Sequence, residues 1–268
     1  MDEPILVGRL LLLIDALLGL LPDHLGVPSA NDGHFGVSGE TGIHICHWQT
    51  GQHGYLKRRA KAPVHRKRLE IALERVPPHR YPSAELEQYT LPAPLAAELL
   101  WRAYMDGAVR DRRVVDLGCG TGRLTIGSAL LGASLAVGVD IDGRALEEAR
   151  RAAQRLGVLG SVDFIRAQVP RLALRADTVV QNPPFGVRRR GADVEFLRAA
   201  LGAADRVYSL HKSTKAARRL LSSMAAALGK EALLLGTYLL RLPPSLDFHR
   251  KRFHSFYVDL YAFRGPIS

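Results

Sequence analysis

Hydrophobic positions change their period along the chain. Leu95, Leu99, Leu100, Ala103 and Tyr104 recur at the three-and-four spacing that puts apolar side chains on one face of a helix. A short apolar run then spans residues 113–117 and ends in glycines, and runs over 162–165, 135–140, 178–181 and 207–210 share its form. Each predicts a buried strand. Helical spacing returns between them at Leu146, Ala149, Ala153 and Leu156, at Leu197, Ala200 and Leu201, and at Leu220, Leu221, Met224 and Leu228. Short strands alternating with amphipathic helices predict an α/β fold: a parallel sheet covered on both faces and doubly wound by right-handed crossovers. The tail differs. Residues 232–240 and 255–263 are longer β-branched or aromatic runs separated by Pro243-Pro244, and they predict an antiparallel pair that closes one edge. The expected sheet is therefore seven-stranded and mostly parallel.

The first 56 residues do not join this pattern. Residues 5–21 are strongly apolar, yet the run falls short of the ~18 or more residues of a membrane span and carries Arg9 and Asp15. Asp2 and Glu3 precede it and Leu-Leu-Pro follows, which is not the order of a secretory signal. It reads as a short amphipathic helix or an extension, with no membrane partner. Residues 22–56 are rich in Gly, His, Ser and Asp and read as loop. His34, His44, Cys46, His47 and His53 lack the paired spacing of a zinc site, so no metal is expected.

Charge marks a boundary. Residues 1–56 hold Arg9 against Asp2, Glu3, Asp15, Asp23, Asp32 and Glu40, whereas a basic block from Lys57 to Arg80 is opposed only by Glu70 and Glu74. The expected division is an N-terminal extension over 1–65, loosely ordered and basic at its end, and a globular domain over 66–268. At 268 residues and 47% hydrophobic content the chain buries a sizeable core, which excludes wholesale disorder. Its net charge of +11 favours a polyanionic partner. Two cysteines make no disulfide framework and point to a reducing, cytoplasmic compartment.

Two strand ends carry candidate chemistry. Asp116-Leu117-Gly118-Cys119-Gly120-Thr121-Gly122 leaves a strand and opens a helix, where glycines admit a ligand to the backbone and the helix N-terminus offers N–H groups. The spacing is G-x-G-x-G, so the dinucleotide fingerprint G-x-G-x-x-G is not met. Asp116 beside the turn suits a cationic arm, and Asp140 at the end of the next strand is positioned to accept from two ribose hydroxyls. A nucleoside bearing a charged amino acid satisfies both acids, and S-adenosylmethionine is such a molecule. Asn182-Pro183-Pro184-Phe185 follows the fourth strand directly. The Asn182 side-chain oxygen and neighbouring carbonyls can accept the protons of a planar amine, and the Phe185 ring offers a face on which a base stacks. Positioning and electrostatics then carry methyl transfer without a strong general base.

These residues resemble class I S-adenosylmethionine-dependent methyltransferases, and most closely the methyltransferase-like protein 5 family, whose members methylate adenine N6 in small-subunit ribosomal RNA. The matching stretches are Leu86-Glu87-Gln88-Tyr89, Asp116 to Gly120, Gly138 to Asp142, Asn182 to Gly186, and Tyr208-Ser209-Leu210-His211-Lys212. The resemblance implies the Rossmann-like class I fold. It also implies roles by position: Gln88 lining the cofactor pocket from the N-terminal helix, Gly118, Thr121 and Arg123 on the methionine arm, Asp140 on the ribose, Gln168 and Val169 on the cofactor's adenine, and Asn182 to Phe185 on the target base. The chain has Gln168 where the family has Asp, and Leu91 where the family has Thr. A small zinc-containing activator protein is the implied partner. The family-like part begins after the basic block and no Met lies between Met1 and Met105, so a start set too far upstream is one expectation.

Arg188, Arg189, Arg190, Lys212, Arg250 and Lys251 fall near predicted strand ends, where basic side chains suit the phosphates around a flipped or single-stranded nucleotide; solvated surface charges are the alternative. Three functions stand at this point: an RNA adenine N6-methyltransferase, a methyltransferase of another amine in DNA or on protein glutamine, and a non-catalytic nucleic-acid-binding protein.

Overall fold

Two clusters of apolar side chains, one on each face of a seven-stranded sheet, hold the elements together. The computed structural model describes residues 65–169, 174–186, 188–242 and 254–265. Expectations for the N-terminal extension, for the turn at Pro243-Pro244 and for Arg250 and Lys251 lie outside the described residues. In chain order the elements are α1 (Arg66–Glu74), α2 (Ala93–Met105), β1 (Arg113–Leu117), α3 (Arg123–Leu130), β2 (Leu135–Asp140), α4 (Gly143–Arg155), β3 (Val162–Arg166), β4 (Ala176–Gln181), α5 (Ala192–Ala203), β5 (Ala204–Lys212), α6 (Lys215–Ala227), β6 (Glu231–Leu242) and β7 (His254–Arg264). Among the described residues no helix is long and apolar enough to cross a membrane.

The strands lie in the order β3-β2-β1-β4-β5-β7-β6. The first five are parallel, and β7 inserts antiparallel between β5 and β6. This is the doubly wound sheet with an antiparallel pair that the alternation predicts. Successive strand residues feed opposite faces, as the two-residue period requires. Val114, Ala136, Val180 and Leu210 join one cluster, and Val115, Val137, Val179 and Val207 the other. Leu69 and Leu73 of α1, Leu99 and Leu100 of α2 and Ile126 of α3 cover the first face; Leu197 and Leu201 of α5 and Leu221 of α6 cover the second. Each such side chain contributes ~1.5–3 kcal/mol by leaving water.

Local signals start the helices where the sequence supplies them. Pro92 and Pro94 bracket the first turn of α2. The Asp142 carboxylate accepts from Arg144 N at 2.9 Å to open α4, and the Thr214 hydroxyl accepts from Ala217 N at 3.0 Å to open α6. One helix is an addition to the predicted set: the basic block contains α1. The glycine turn opens α3, as expected.

Candidate active site

The sheet register fixes the site. Leu117 of β1 pairs with Val139 on one side and with Gln181 on the other. The glycine turn, Asp140 and Asn182 therefore leave the sheet at one rim within a residue of each other. β1 is also where the strand order reverses, with β2 to one side and β4 to the other, and such a switch point opens a crevice at the strand C-termini. A cavity of about 640 Å³ occupies it, within the 300–1,000 Å³ usual for small-molecule sites. Asp140 and Asn182 both line it.

At the β2 end, backbone amides set the polar groups. Asp140 is 8% exposed; its Oδ2 accepts from Gly120 N at 2.8 Å and its Oδ1 from Asp142 N at 2.9 Å. Burial raises its pKa, those two amides offset part of the rise, and the Asp142 charge adds to it. Gly118 sits at φ +71°, and a Cβ there meets the Phe196 ring at 2.9 Å, so the turn closes on that ring only with glycine. Gly138 within β2 has Cys119, Phe164 and Thr125 atoms at 2.8 Å from where its Cβ would stand, which lets the turn lie flat on the strand. A fixed carboxylate, an open glycine turn and a cavity of this size fit a nucleoside with a cationic arm.

Several residues expected around that ligand are tied to the protein. The Asp116 carboxylate is 2% exposed and accepts from both Thr125 N, at 2.9 Å, and the Thr125 hydroxyl, at 2.8 Å. Burial pushes its pKa up to about 7 against those bonds. The Thr121 hydroxyl donates to Pro77 O at 3.0 Å. The Arg123 guanidinium donates to Leu91 O and Val76 O, and burial brings its pKa down to about 10. Gln88 donates to Asp142 Oδ2 at 2.9 Å while its own carbonyl accepts from Ser83 N at 2.7 Å. All four residues, with Gln168 and Val169, nevertheless line the cavity.

At the β4 end the arrangement differs. Asn182 and Pro184 face the cavity, whereas Pro183 and Phe185 are buried and do not. Phe185, expected to offer a ring face, is only 7% exposed. Tyr89 stacks on it with centroids 5.3 Å apart and planes 14° apart, and Phe256 of β7 meets it edge-on at 5.0 Å and 90°. The Tyr89 hydroxyl also donates to Asn182 Oδ1 at 2.7 Å. Burial holds the Tyr89 phenol well above its ordinary pKa, so it stays a neutral donor.

Tyr89 belongs to the irregular segment 83–91 between α1 and α2, which touches both ends of the cavity. Its Glu87 adopts φ +51°, an uncommon conformation for a residue with a side chain. The Glu87 carboxylate accepts from Phe185 N at 2.8 Å and Arg188 N at 2.7 Å, which clasps the loop that follows β4. His79 supports the other end: Tyr81 N donates to its Nδ1 at 3.1 Å, so its Nε2 donates to Asp142 at 3.0 Å. Sequence reasoning singled out none of Glu87, Tyr89, His79 or Phe256 as site residues. The only signal was the Leu86-Glu87-Gln88-Tyr89 match, which carried a role for Gln88 alone.

The basic residues disperse. Arg188 and Arg190 are exposed, Arg189 pairs with Glu195 and lines the cavity, and Lys212 lies over the Phe256 ring at 5.9 Å from its centroid.

Comparison with known proteins gives four likenesses. A family model described as ribosomal protein L11 methyltransferase matches residues 101–183, which takes in the glycine turn and Asp140 but stops before Phe185. The chain is 35% identical to the Drosophila melanogaster rRNA N(6)-adenosine-methyltransferase Mettl5 over 74% of this chain and 95% of that one. It is 34% identical to the Danio rerio counterpart, over 74% of this chain and 97% of that one. A Pyrococcus horikoshii crystal structure, described as a candidate RNA methyltransferase, superposes with a TM-score of 0.71 at 34% identity, covering 76% of this chain and all of that one.

Proposed function

The chain belongs to the family of rRNA N6-adenosine methyltransferases that includes those fly and fish proteins, and we propose that it acts as one, moving the methyl of S-adenosylmethionine to N6 of an adenine in small-subunit ribosomal RNA. The observation that carries this reading is the single cavity shared by Asp140 and Asn182, on the strands that flank β1. A cofactor diol at one end and the amine of a target base at the other are what such a cavity serves.

S-adenosylmethionine supplies an electrophilic methyl group. Asp140 accepts from the ribose hydroxyls, with its orientation fixed by the Gly120 and Asp142 amides. Gly118, Thr121, Gln88, Asp116 and Arg123 surround the amino-acid arm, and Gln168 and Val169 meet the cofactor's adenine. Asn182 Oδ1 and the Pro183 carbonyl accept the two N6 protons of the target base, which holds its nitrogen in line for attack. Pro184 and Phe185 shape the wall beside it. Arg188, Arg189, Arg190 and Lys212, and with them Arg250 and Lys251, hold the phosphates of the RNA. A small zinc-containing activator protein, a cytoplasmic location and a domain boundary at residue 65/66 belong to the same reading. The last is supported by α1, whose Leu69 and Leu73 enter the core.

Incubation with tritiated S-adenosylmethionine and separate pools of unmodified ribosomal RNA, DNA and ribosomal protein tests this function. Label is expected in RNA, recovered as N6-methyladenosine after digestion. Label in protein or DNA alone overturns the proposal, and cofactor binding weaker than millimolar by calorimetry favours a non-catalytic role.

A further inference from the structure

The two contacts expected of the target base are already made, by Tyr89. Its flat ring lies on Phe185, 5.3 Å away and 14° from parallel. Its hydroxyl gives a proton to Asn182 Oδ1 at 2.7 Å, as an exocyclic amine would. Phe256 packs edge-on against the same Phe185 ring, which leaves the ring 7% exposed. A base has no room to stack there while Tyr89 stays.

We propose that Tyr89 is a resident stand-in for the target base and that methyl transfer requires an exchange in which the base displaces it. This rests on the functional reading above. The segment that carries Tyr89 is built for such a step. Residues 83–91 form no ladder with any strand, and side-chain bonds hold them at both ends of the cavity. Glu87, at φ +51° two residues before Tyr89, keeps its grip on Phe185 N and Arg188 N. The clasp can thus hold the loop after β4 while the Tyr89 side chain withdraws. The exchange is also a filter. A base replaces Tyr89 without loss only if it is flat and carries an amine donor, as adenine and cytosine do. Uracil offers no exocyclic amine and leaves the Asn182 oxygen with a lost bond.

Tyr89→Phe keeps the stacked ring and removes the competing hydroxyl. The experiment measures methylation of small-subunit ribosomal RNA from cells lacking the gene, by wild type and Tyr89→Phe, with cofactor affinity of each determined by calorimetry. The RNA concentration for half-maximal rate is expected to fall about 2- to 10-fold, with the maximal rate and cofactor affinity little changed. A half-maximal concentration that is unchanged or raised, or a lowered maximal rate, overturns the exchange, since the hydroxyl then serves to position Asn182. Hydrogen exchange gives a readout independent of turnover: amides of residues 83–91 in S-adenosylhomocysteine-loaded protein should exchange faster when RNA is added, and an unchanged rate counts against the proposal. Wild-type protein that labels no RNA overturns the functional reading; wild type that labels RNA with no shift in Tyr89→Phe overturns the exchange alone.

Discussion

The two ends of the cavity are held in different ways. At the β2 end the Asp140 carboxylate is fixed by the main-chain amides of Gly120 and Asp142, and glycines keep the backbone close. At the β4 end three rings from distant parts of the chain, Tyr89, Phe185 and Phe256, fill the wall against each other. Main-chain anchoring suits a small ligand of constant shape. Side chains that pack on one another suit a macromolecular ligand that arrives as one base pulled from a stack and needs space made for it.

Substitutions can break that contrast. The largest effect is expected at Asn182→Ala, which lowers transfer about 10²- to 10³-fold while cofactor affinity by calorimetry stays within a few fold. Equal loss of both would mean that Asn182 supports the whole cavity and that the two ends are not separable. Asp140→Asn should do the converse, weakening cofactor binding about 10- to 100-fold, with transfer largely recovered at saturating cofactor. Glu87→Gln sharpens the account of the β4 end: an amide offers one acceptor where the carboxylate offers two, so one of the two loop amides loses its partner. Its maximal rate should fall about 3- to 10-fold, with calorimetric cofactor affinity unchanged.

The smallest effect concerns stability. Asp116 holds its proton up to about pH 7 when folded, against 3.8 as the ordinary value, so between those limits the folded state binds more protons than the unfolded one. This group's contribution to stability therefore declines as pH rises through that window. Asp116→Asn removes the slope, and its melting temperature should gain on wild type steadily from pH 4 to 7 in thermal scans. A constant difference across that range would mean the Asp116 carboxyl ionises at its ordinary pH.

The strands were legible because each is an apolar run, with β1 ending at a glycine, β2 at an acid and β4 at Asn-Pro, and the register that brings Asp140 to Asn182 follows from those strand ends. One helix was not. α1 supplies only Leu69 and Leu73 as buried apolar positions among five charged residues, too few to stand out from a solvated basic block. α3 was legible only as the helix that the glycine turn opens: Leu124 to Ala129 are all buried, so no polar face marks a period. In the site, residues next to a strand end were visible and those that reach it across the fold were not. Tyr89 lies 93 positions from Asn182 and Glu87 lies 98 from Phe185, and nothing local ties them together. Asp116 was read as facing a cation because a carboxylate beside a glycine turn is open on paper. Thr125, one turn into α3, offers it two donors and turns it inward.

The insertion of β7 between β5 and β6 has a consequence for synthesis. Among the described residues the penultimate strand has its only sheet partner in the final one, so it stays unpaired until that strand emerges and slots inside it. Phe256, which backs Phe185 and lies under Lys212, arrives on that final strand. Every residue that lines the cavity is thus made before β7, but the edge-on ring that backs Phe185 comes only with the last strand.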